Sequence, residues 1–250
     1  MPASSVILAF PSLAAYWKCD ETSGNLADSS GNSKTLTYSG SGAIYSGSDI
    51  TLDGATGYFS RTDSILGSTL PSEWTMGLFV NGLAQDAKFV FGMGRSSSNT
   101  PACAIGSGVV ASGQSSSSGK CFVRTDANTS LWGNASGEAY GTAFDDTWHL
   151  IVALRRSGVY RYFIDGTEVG NVTIAQGTTT LDRTALGCFL RATAASFFAG
   201  RVSHAFACTA AISNTDITDL FANLPVDPPR VTIETNDANL FASPYNWKLA

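Results

Sequence analysis

The segment WHLIVALRRSGVYRYFIDGTEV, residues 148–169, decides the fold. Its first run, 148–154, is apolar at nearly every position, which is typical of a strand that is buried on both faces. The tripeptide Arg156-Ser157-Gly158 supplies a turn, and a second strand is expected over 159–164. Asp165-Gly166 tolerates the positive φ of a tight turn, and the chain then becomes strand-like again. The segment therefore predicts an antiparallel meander.

The same pattern extends outward from this segment. Short apolar runs separated by Gly, Asn, Asp and Ser clusters recur along residues 10–210, and hardly any window keeps a helical period. In residues 74–80 the side chains of Trp74, Met76 and Leu78 alternate with Thr75 and Gly77, which is the period of a strand. The sequence predicts an all-β fold of two antiparallel sheets stacked as a sandwich.

Three segments depart from the strand pattern. Residues 214–223 predict one short helix, with Ser213 as its N-cap and a single apolar stripe. Prolines 225, 228 and 229 then predict a linker that leads into an extended tail. Residues 96–120 are rich in Ser and Gly, and we interpret them as a long surface excursion or mobile loop.

Composition limits the classes of partner. The 250 residues suit one large β domain, and only 14% of them are charged. The net charge of −5 with scattered basic residues argues against nucleic acid as a partner. We expect no membrane span, and the start of the chain lacks the pattern of a secretory signal.

The five cysteines cannot all pair within one chain. None lies in a C-x-x-C motif, so zinc and redox chemistry are not indicated. We expect mostly free, buried thiols. A bridge between Cys188 and Cys208, or between Cys103 and Cys121, is the alternative.

Five segments, in order along the chain, resemble the laminin G-like family of concanavalin A-like jelly rolls. Residues 13–32 resemble its opening strand and turn, and residues 52–59 resemble its second strand. Residues 74–76 resemble a strand in which the family has an aromatic residue, a threonine and an apolar residue in succession. Residues 147–149 with 162–166 resemble its central hairpin, and 200–217 its closing strand and helix. The resemblance implies a two-sheet antiparallel jelly-roll sandwich over residues 13–224, preceded by an N-terminal arm, 1–12, and followed by a linker and extended tail, 225–250. Ser203 and His204 stand where the family usually has acidic residues, which argues against a metal or ligand role for that strand.

A segment of the tail, 236–247, is similar to segments of bacteriophage structural and tail proteins. The resemblance implies a capsid decoration or tail-associated protein, assembled in the host cytoplasm, released by lysis and displayed on the virion surface. Its partners would be capsid or tail subunits, and Phe241, Tyr245 and Trp247 would contact them. Homo-oligomerisation and the binding of cell-surface glycans stay open. The alternative function is a calcium-dependent carbohydrate-binding module.

The carboxylates do not indicate an enzyme. A glycosidase needs two carboxylates that face each other across the scissile bond. The glutamates are widely separated, and the adjacent Asp145 and Asp146 would point in opposite directions from an extended chain. His149 and His204 are the two histidines of the chain, and we interpret both as hydrogen-bonded strand residues rather than catalytic bases.

Two candidate sites come with structural alternatives. The side chains of Asp28, Ser30 and Asn32 could bind calcium, which prefers oxygen ligands, or they could form an Asx turn. Trp132 could be exposed and stack against a sugar, or it could pack against its own loop.

Overall fold

The computed structural model describes residues 2–132 and 140–223, and it confirms the two-sheet antiparallel sandwich. The first sheet contains β1 (Leu13–Trp17), β3 (Ile44–Tyr45), β4 (Ile50–Asp53), β6 (Trp74–Asn81), β12 (Trp148–Arg156), β13 (Val159–Ile164), β14 (Thr167–Thr173) and β18 (Ala199–Cys208). The second contains β2 (Thr37–Ser39), β5 (Tyr58–Arg61), β7 (Phe89–Arg95), β8 (Ser98–Ser107), β9 (Ser118–Arg124), β10 (Ser130–Trp132), β11 (Tyr140–Thr142) and β15 (Arg183–Leu186).

The remaining elements are short. A small hairpin is formed by β16 (Phe189–Leu190) and β17 (Ala194–Ala195), and the two α-helices are α1 (Ala3–Leu8) and α2 (Asn214–Phe221). Neither helix has the length and apolar composition that crossing a membrane would require, as judged over the described part of the chain.

Both sheets are antiparallel throughout their named ladders. The first has the order β14-β13-β12-β6-β18-β4-β3, with β1 also paired to β18. The second has the order β10-β9-β8-β7-β15-β5-β2, with β11 also paired to β9. The meander of residues 148–173 forms as predicted, because Ser157, Gly158, Asp165 and Gly166 all take the positive φ that its two tight turns require.

The main core fills the space between the sheets. Trp17 and Trp74 are fully buried there, with Met76 and Leu78 on the same face of β6 as Trp74. β12 lies between β6 and β13 and is buried on both faces, as the apolar run predicted. Burial of this apolar surface is the main driving force for the fold.

The outer face of the first sheet is covered by the two helices. Ile7 of α1 and Ile217 of α2 pack in one cluster with Leu150 and Val152 of β12. Ser213 caps α2, and its side chain and that of Asp216 form a reciprocal capping box. The helix at 214–221 was predicted, but α1 falls within the expected N-terminal arm and was missed.

The prediction that residues 96–120 form a surface loop is wrong. β8 is a central strand that pairs with β7 on one side and β9 on the other. Its Ala102 and Ala104 are fully buried beneath Phe89, Phe122 and Phe189. Small side chains let bulky neighbours pack closely over a strand that is not itself strongly apolar.

All five cysteines are buried free thiols, as expected, and neither alternative bridge forms. Burial raises the pKa of Cys188, and the same cause raises that of Cys208, each to about 12. Neutral buried thiols of this kind are poor nucleophiles.

Candidate functional site

A cleft opens at one end of the sandwich, where three strands of the first sheet meet. β6 is antiparallel to both β12 and β18, so its last residues lie beside the first residues of those strands. The cleft has a volume of about 340 Å³ and is referred to below as the end cleft. It is lined by Thr51, Asn81, Gly82, Leu83, Ala84, Gln85, Asp146, Ala199, Gly200 and Arg201.

Arg201 is held in a fixed orientation at the wall of the end cleft. Its Nε and one terminal nitrogen donate to the two carboxylate oxygens of Asp49, at 3.2 and 2.9 Å. Its guanidinium carbon lies 4.9 Å from the ring centre of Trp148. Burial alone would raise the pKa of Asp49, but hydrogen bonds from Arg201 and Ser46 outweigh burial and lower it. The ion pair and the stacked ring together preorganise the guanidinium.

Asp146 supplies a carboxylate to the same cleft. The residue has a φ of 70°, and its carbonyl accepts a hydrogen bond from the Asn81 side chain at 3.2 Å. Its side chain is exposed, and the carboxylate accepts no hydrogen bond from any described residue. An acceptor in this state is free to bind a ligand hydroxyl.

An apolar side chain and a rigid loop complete the end cleft. Leu83 is 65% exposed although it lies only two residues beyond the end of the buried strand β6. The Gln85 side chain fixes this loop, because it donates to the carbonyl of Ala199 at 2.7 Å and accepts from the amide of Ala199 at 2.9 Å. The cleft thus combines an apolar surface, an anchored cation and an unengaged carboxylate, which is the composition of a site for a small polar ligand.

The end cleft lacks the paired acids of a glycosidase. Asp146 is the one carboxylate that lines it within residues 2–132 and 140–223. The neighbouring Asp145 points elsewhere, since it accepts from the Thr147 hydroxyl at 2.6 Å and lies 3.0 Å from Nε2 of His149.

His149 clamps two turns together, as the interpretation of a hydrogen-bonded strand residue predicted. Its Nδ1 lies 2.7 Å from a carboxylate oxygen of Asp165, and its Nε2 lies 3.0 Å from Asp145. The other Asp165 oxygen accepts from the amide of Leu150 at 2.9 Å. The hydrogen bond to Asp165 is the largest cause that raises the pKa of His149, and it outweighs the opposing effect of burial.

This clamp predicts a pH dependence of stability. Because its pKa is raised in the folded state, His149 stabilises the fold fully below about pH 6.5, the unfolded pKa, and this contribution is lost as pH rises through the folded pKa. Thermal melts of the wild type and His149→Asn between pH 5 and 9 should therefore converge at the alkaline end. A difference between the two midpoints that is independent of pH would contradict the assignment.

The pKa of His204, a half-buried residue of β18, is shifted in the opposite direction to that of His149. Its Nδ1 lies 2.6 Å from the Tyr16 hydroxyl, and burial lowers its pKa to about 4. Its contribution to stability is lost as pH falls below about 6.5. Because His204 is present in both the wild type and His149→Asn, this contribution cancels when the two melting temperatures are compared.

Asp28 and Asn32 adopt the turn geometry that was the alternative to a calcium site. One carboxylate oxygen of Asp28 accepts from the amides of Tyr16 and Ser30, and the other from the Ser30 hydroxyl and the Lys34 amide, all at 2.9–3.0 Å. Burial would raise the pKa of Asp28, but these bonds lower it. Asn32 donates its amide nitrogen to the carbonyls of Leu13 and Ala14. Within the described residues, no group of three or more His, Cys, Asp or Glu side chains is arranged to hold a metal.

The prediction that Trp132 is exposed is wrong. Its side chain is only 1% exposed, it packs against Tyr140, Tyr160 and Tyr162, and its Nε1 donates to the Tyr140 hydroxyl. β11 and β13 bring these tyrosines over the indole, so its face cannot stack against a sugar. The proposed partner-contact residues Phe241, Tyr245 and Trp247 lie outside the described residues.

A second cleft, of about 480 Å³, lies near the opposite end of β6. Its carboxylate, Asp126, is already engaged, because it accepts from the amide and hydroxyl of Thr180 at 2.9 and 2.6 Å. Gln176 is also engaged through its amide nitrogen, which donates to the carbonyls of Leu70 and Pro71. These side chains hold loops in place, so the end cleft is the stronger candidate.

Comparison with known proteins gives the fold. No family model and no curated protein matches the chain. Domain 4 of AbnA, a GH43 extracellular arabinanase from Geobacillus stearothermophilus solved with arabinotriose, superposes with a TM-score of 0.62 at 16% identity, covering 83% of this chain and 97% of that domain. The binding domain of botulinum neurotoxin serotype C1 superposes with a TM-score of 0.64 at 11% identity, covering 88% of this chain.

A further botulinum neurotoxin type C structure, from work on cell entry through two ganglioside molecules, gives a TM-score of 0.62 at 11% identity over 89% of this chain. This chain spans about half the length of the neurotoxin domains, 53% in both cases. At these identities the likeness establishes shared architecture. The chain has the jelly-roll β-sandwich fold that these binding domains also have.

Proposed function

We propose that this protein is a non-catalytic glycan-binding module whose binding site is the end cleft. The observation that carries the proposal is the convergence of Asp146, the anchored Arg201 and the exposed Leu83 in one cleft. A sugar ring presents hydroxyl groups on its rim and apolar C–H groups on its faces, so it matches a carboxylate, a guanidinium and an aliphatic side chain.

The solved structures support the glycan class. One neighbour was solved with arabinotriose, and another concerns a toxin whose cell entry depends on gangliosides. Both therefore link this fold to the recognition of saccharides. Fold alone does not specify function, so the proposal depends on the residues of the end cleft.

A titration tests the end cleft. A glycan array with neutral and sialylated oligosaccharides, including arabinotriose, identifies the best ligand, and calorimetry then measures its affinity for the full chain. Asp146→Asn should weaken binding about tenfold or more, since it removes a charge-assisted hydrogen bond while asparagine tolerates the positive φ. Leu83→Ser should weaken it several-fold through lost apolar contact.

Matched controls separate the site from the general surface. Ile44 is 66% exposed on β3 and lies outside the end cleft, so Ile44→Ser is the control for Leu83→Ser. Asp219, exposed on α2, gives the charge-matched control Asp219→Asn. Unchanged affinity in both cleft variants, or an array without a hit, would refute the proposal. Repeating the titration with EDTA distinguishes calcium-dependent from calcium-independent binding.

We further propose that the module is displayed on a virion, as a capsid decoration or tail-associated protein. Support comes from the similarity of residues 236–247 to bacteriophage structural proteins. Weak single-site binding to a cell-surface glycan would then be strengthened by many copies. Mass spectrometry of purified particles should find the chain in stoichiometric amount, and its absence would remove the virion role without affecting the glycan proposal.

A further inference from the structure

Two arginines lie side by side on the outer face of the second sheet, away from the end cleft. Arg124 ends β9, and its guanidinium carbon lies 4.8 Å from the ring centre of Phe122. Arg191 follows β16, and its guanidinium carbon lies 4.4 Å from the ring centre of Phe189. The two phenylalanine rings are 6.0 Å apart. Arg124 and Arg191 are called the arginine pair below.

The positive charge of the arginine pair is not neutralised by the described residues. Neither guanidinium has a carboxylate within ion-pair distance there, and the Nε atoms of both are buried without a hydrogen-bond partner. Arg191 makes one hydrogen bond, from a terminal nitrogen to the carbonyl of Asn99 at 2.8 Å. Asp126, close in sequence to Arg124, is engaged by Thr180.

Keeping two such cations together is unfavourable. Partial burial and the charge of Arg124 both lower the pKa of Arg191, so the two groups are close enough to repel each other. Each guanidinium lies over a phenylalanine ring, which orients it, and both rings pack in one buried cluster with Ala102 and Ala104. A planar, oriented guanidinium matches the paired oxygens of a carboxylate, sulfate or phosphate.

We propose that the arginine pair binds the oxyanion of an acidic oligosaccharide, a carboxylate or sulfate group, at a site separate from the end cleft. An oxyanion would neutralise both cations and would accept hydrogen bonds from their terminal nitrogens. The net charge of −5 makes this pair a local exception on an acidic protein, which favours a ligand with few anionic groups over an extended polyanion. The saccharide class rests on the proposed function, whereas the oxyanion is argued from the arginines alone.

Calorimetry on the full chain tests the inference with four probes: trigalacturonic acid, sulfated maltotriose, unmodified maltotriose and sodium sulfate. At least one acidic trisaccharide should bind about tenfold tighter than maltotriose, and the difference should shrink as ionic strength rises. Arg124→Gln and Arg191→Gln should each remove most of that gain. Lys18 directly follows β1 of the first sheet, so Lys18→Gln is the charge-matched control and should leave the gain unchanged.

Several results would overturn the inference. One is equal affinity of the wild type for the acidic and neutral trisaccharides. Another is an affinity for the acidic trisaccharide that both arginine variants share with the wild type. A third is sodium sulfate binding as tightly as the sulfated sugar, which would indicate a site for free anions. If the variants lower the melting temperature, the inference is still tested by comparing the affinities of the wild type for the acidic and neutral trisaccharides. Asp146→Asn separates the two sites: if it abolishes acidic-sugar binding, that ligand occupies the end cleft and only the proposed function survives.

Discussion

Replacing Trp132 with alanine should lower the free energy of unfolding by about 3–5 kcal/mol, the range for a large aromatic side chain removed from a core. The indole is 1% exposed and packs against Tyr140, Tyr160 and Tyr162. Alanine would leave a cavity between β10, β11 and β13 and would remove the hydrogen bond from the indole to Tyr140. Urea denaturation followed by tyrosine and tryptophan fluorescence measures the loss.

A conservative variant and a binding measurement complete this experiment. Trp132→Phe keeps an aromatic ring but loses the N–H donor, so it should cost less than the alanine variant. Where Trp132→Phe is folded, its glycan affinity should equal that of the wild type, since the indole does not line the end cleft. A variant of normal stability with abolished sugar binding would restore the hypothesis that Trp132 stacks against a ligand.

Local patterns account for what the sequence predicted correctly. The alternation of Trp74, Met76 and Leu78 is a property of one strand, and the turns at Ser157-Gly158 and Asp165-Gly166 depend on residues that tolerate positive φ. Ser213 caps its helix through a residue three positions away. In each case the decisive contacts lie within a few residues of the chain.

The errors arise where packing joins distant segments. Ala102 and Ala104 look too small to form a core strand, and only Phe89, Phe122 and Phe189 from other elements bury them. Trp132 is likewise covered by tyrosines from β11 and β13. Neither relationship has a sequence spacing that pattern analysis could detect.

The end cleft was missed for the same reason. Its residues come from four separate parts of the chain, around positions 51, 81–85, 146 and 199–201. The available signal was an aliphatic residue, Leu83, two positions beyond an apolar strand, together with Asp146 in a loop that precedes another strand. Loop residues at strand ends often carry function, but the sequence does not show which ends meet.

Replacing Asp49 should reduce both stability and glycan affinity. Its side chain is 4% exposed and binds Arg201 through both oxygens, so Asp49→Ala removes both of these hydrogen bonds to the guanidinium. Breaking a buried ion pair costs about 3–5 kcal/mol, and the half-buried position of Arg201 reduces this to about 2–3 kcal/mol through solvent screening. Urea denaturation measures this change.

The loss of affinity follows from the mobility of Arg201 at the cleft wall. Asp49→Asn keeps the shape and removes the charge. It should weaken glycan binding about tenfold even where the variant remains folded, because the charge-assisted hydrogen bonds that orient the guanidinium are weakened. Asp63, which pairs with Lys34 and Arg61 on the surface, provides the control: Asp63→Asn should cost less than about 1 kcal/mol and leave affinity unchanged. If Asp49→Asn bound the glycan as tightly as the wild type, the orientation of Arg201 would not contribute to recognition, and Asp146 and Leu83 would have to account for the affinity on their own.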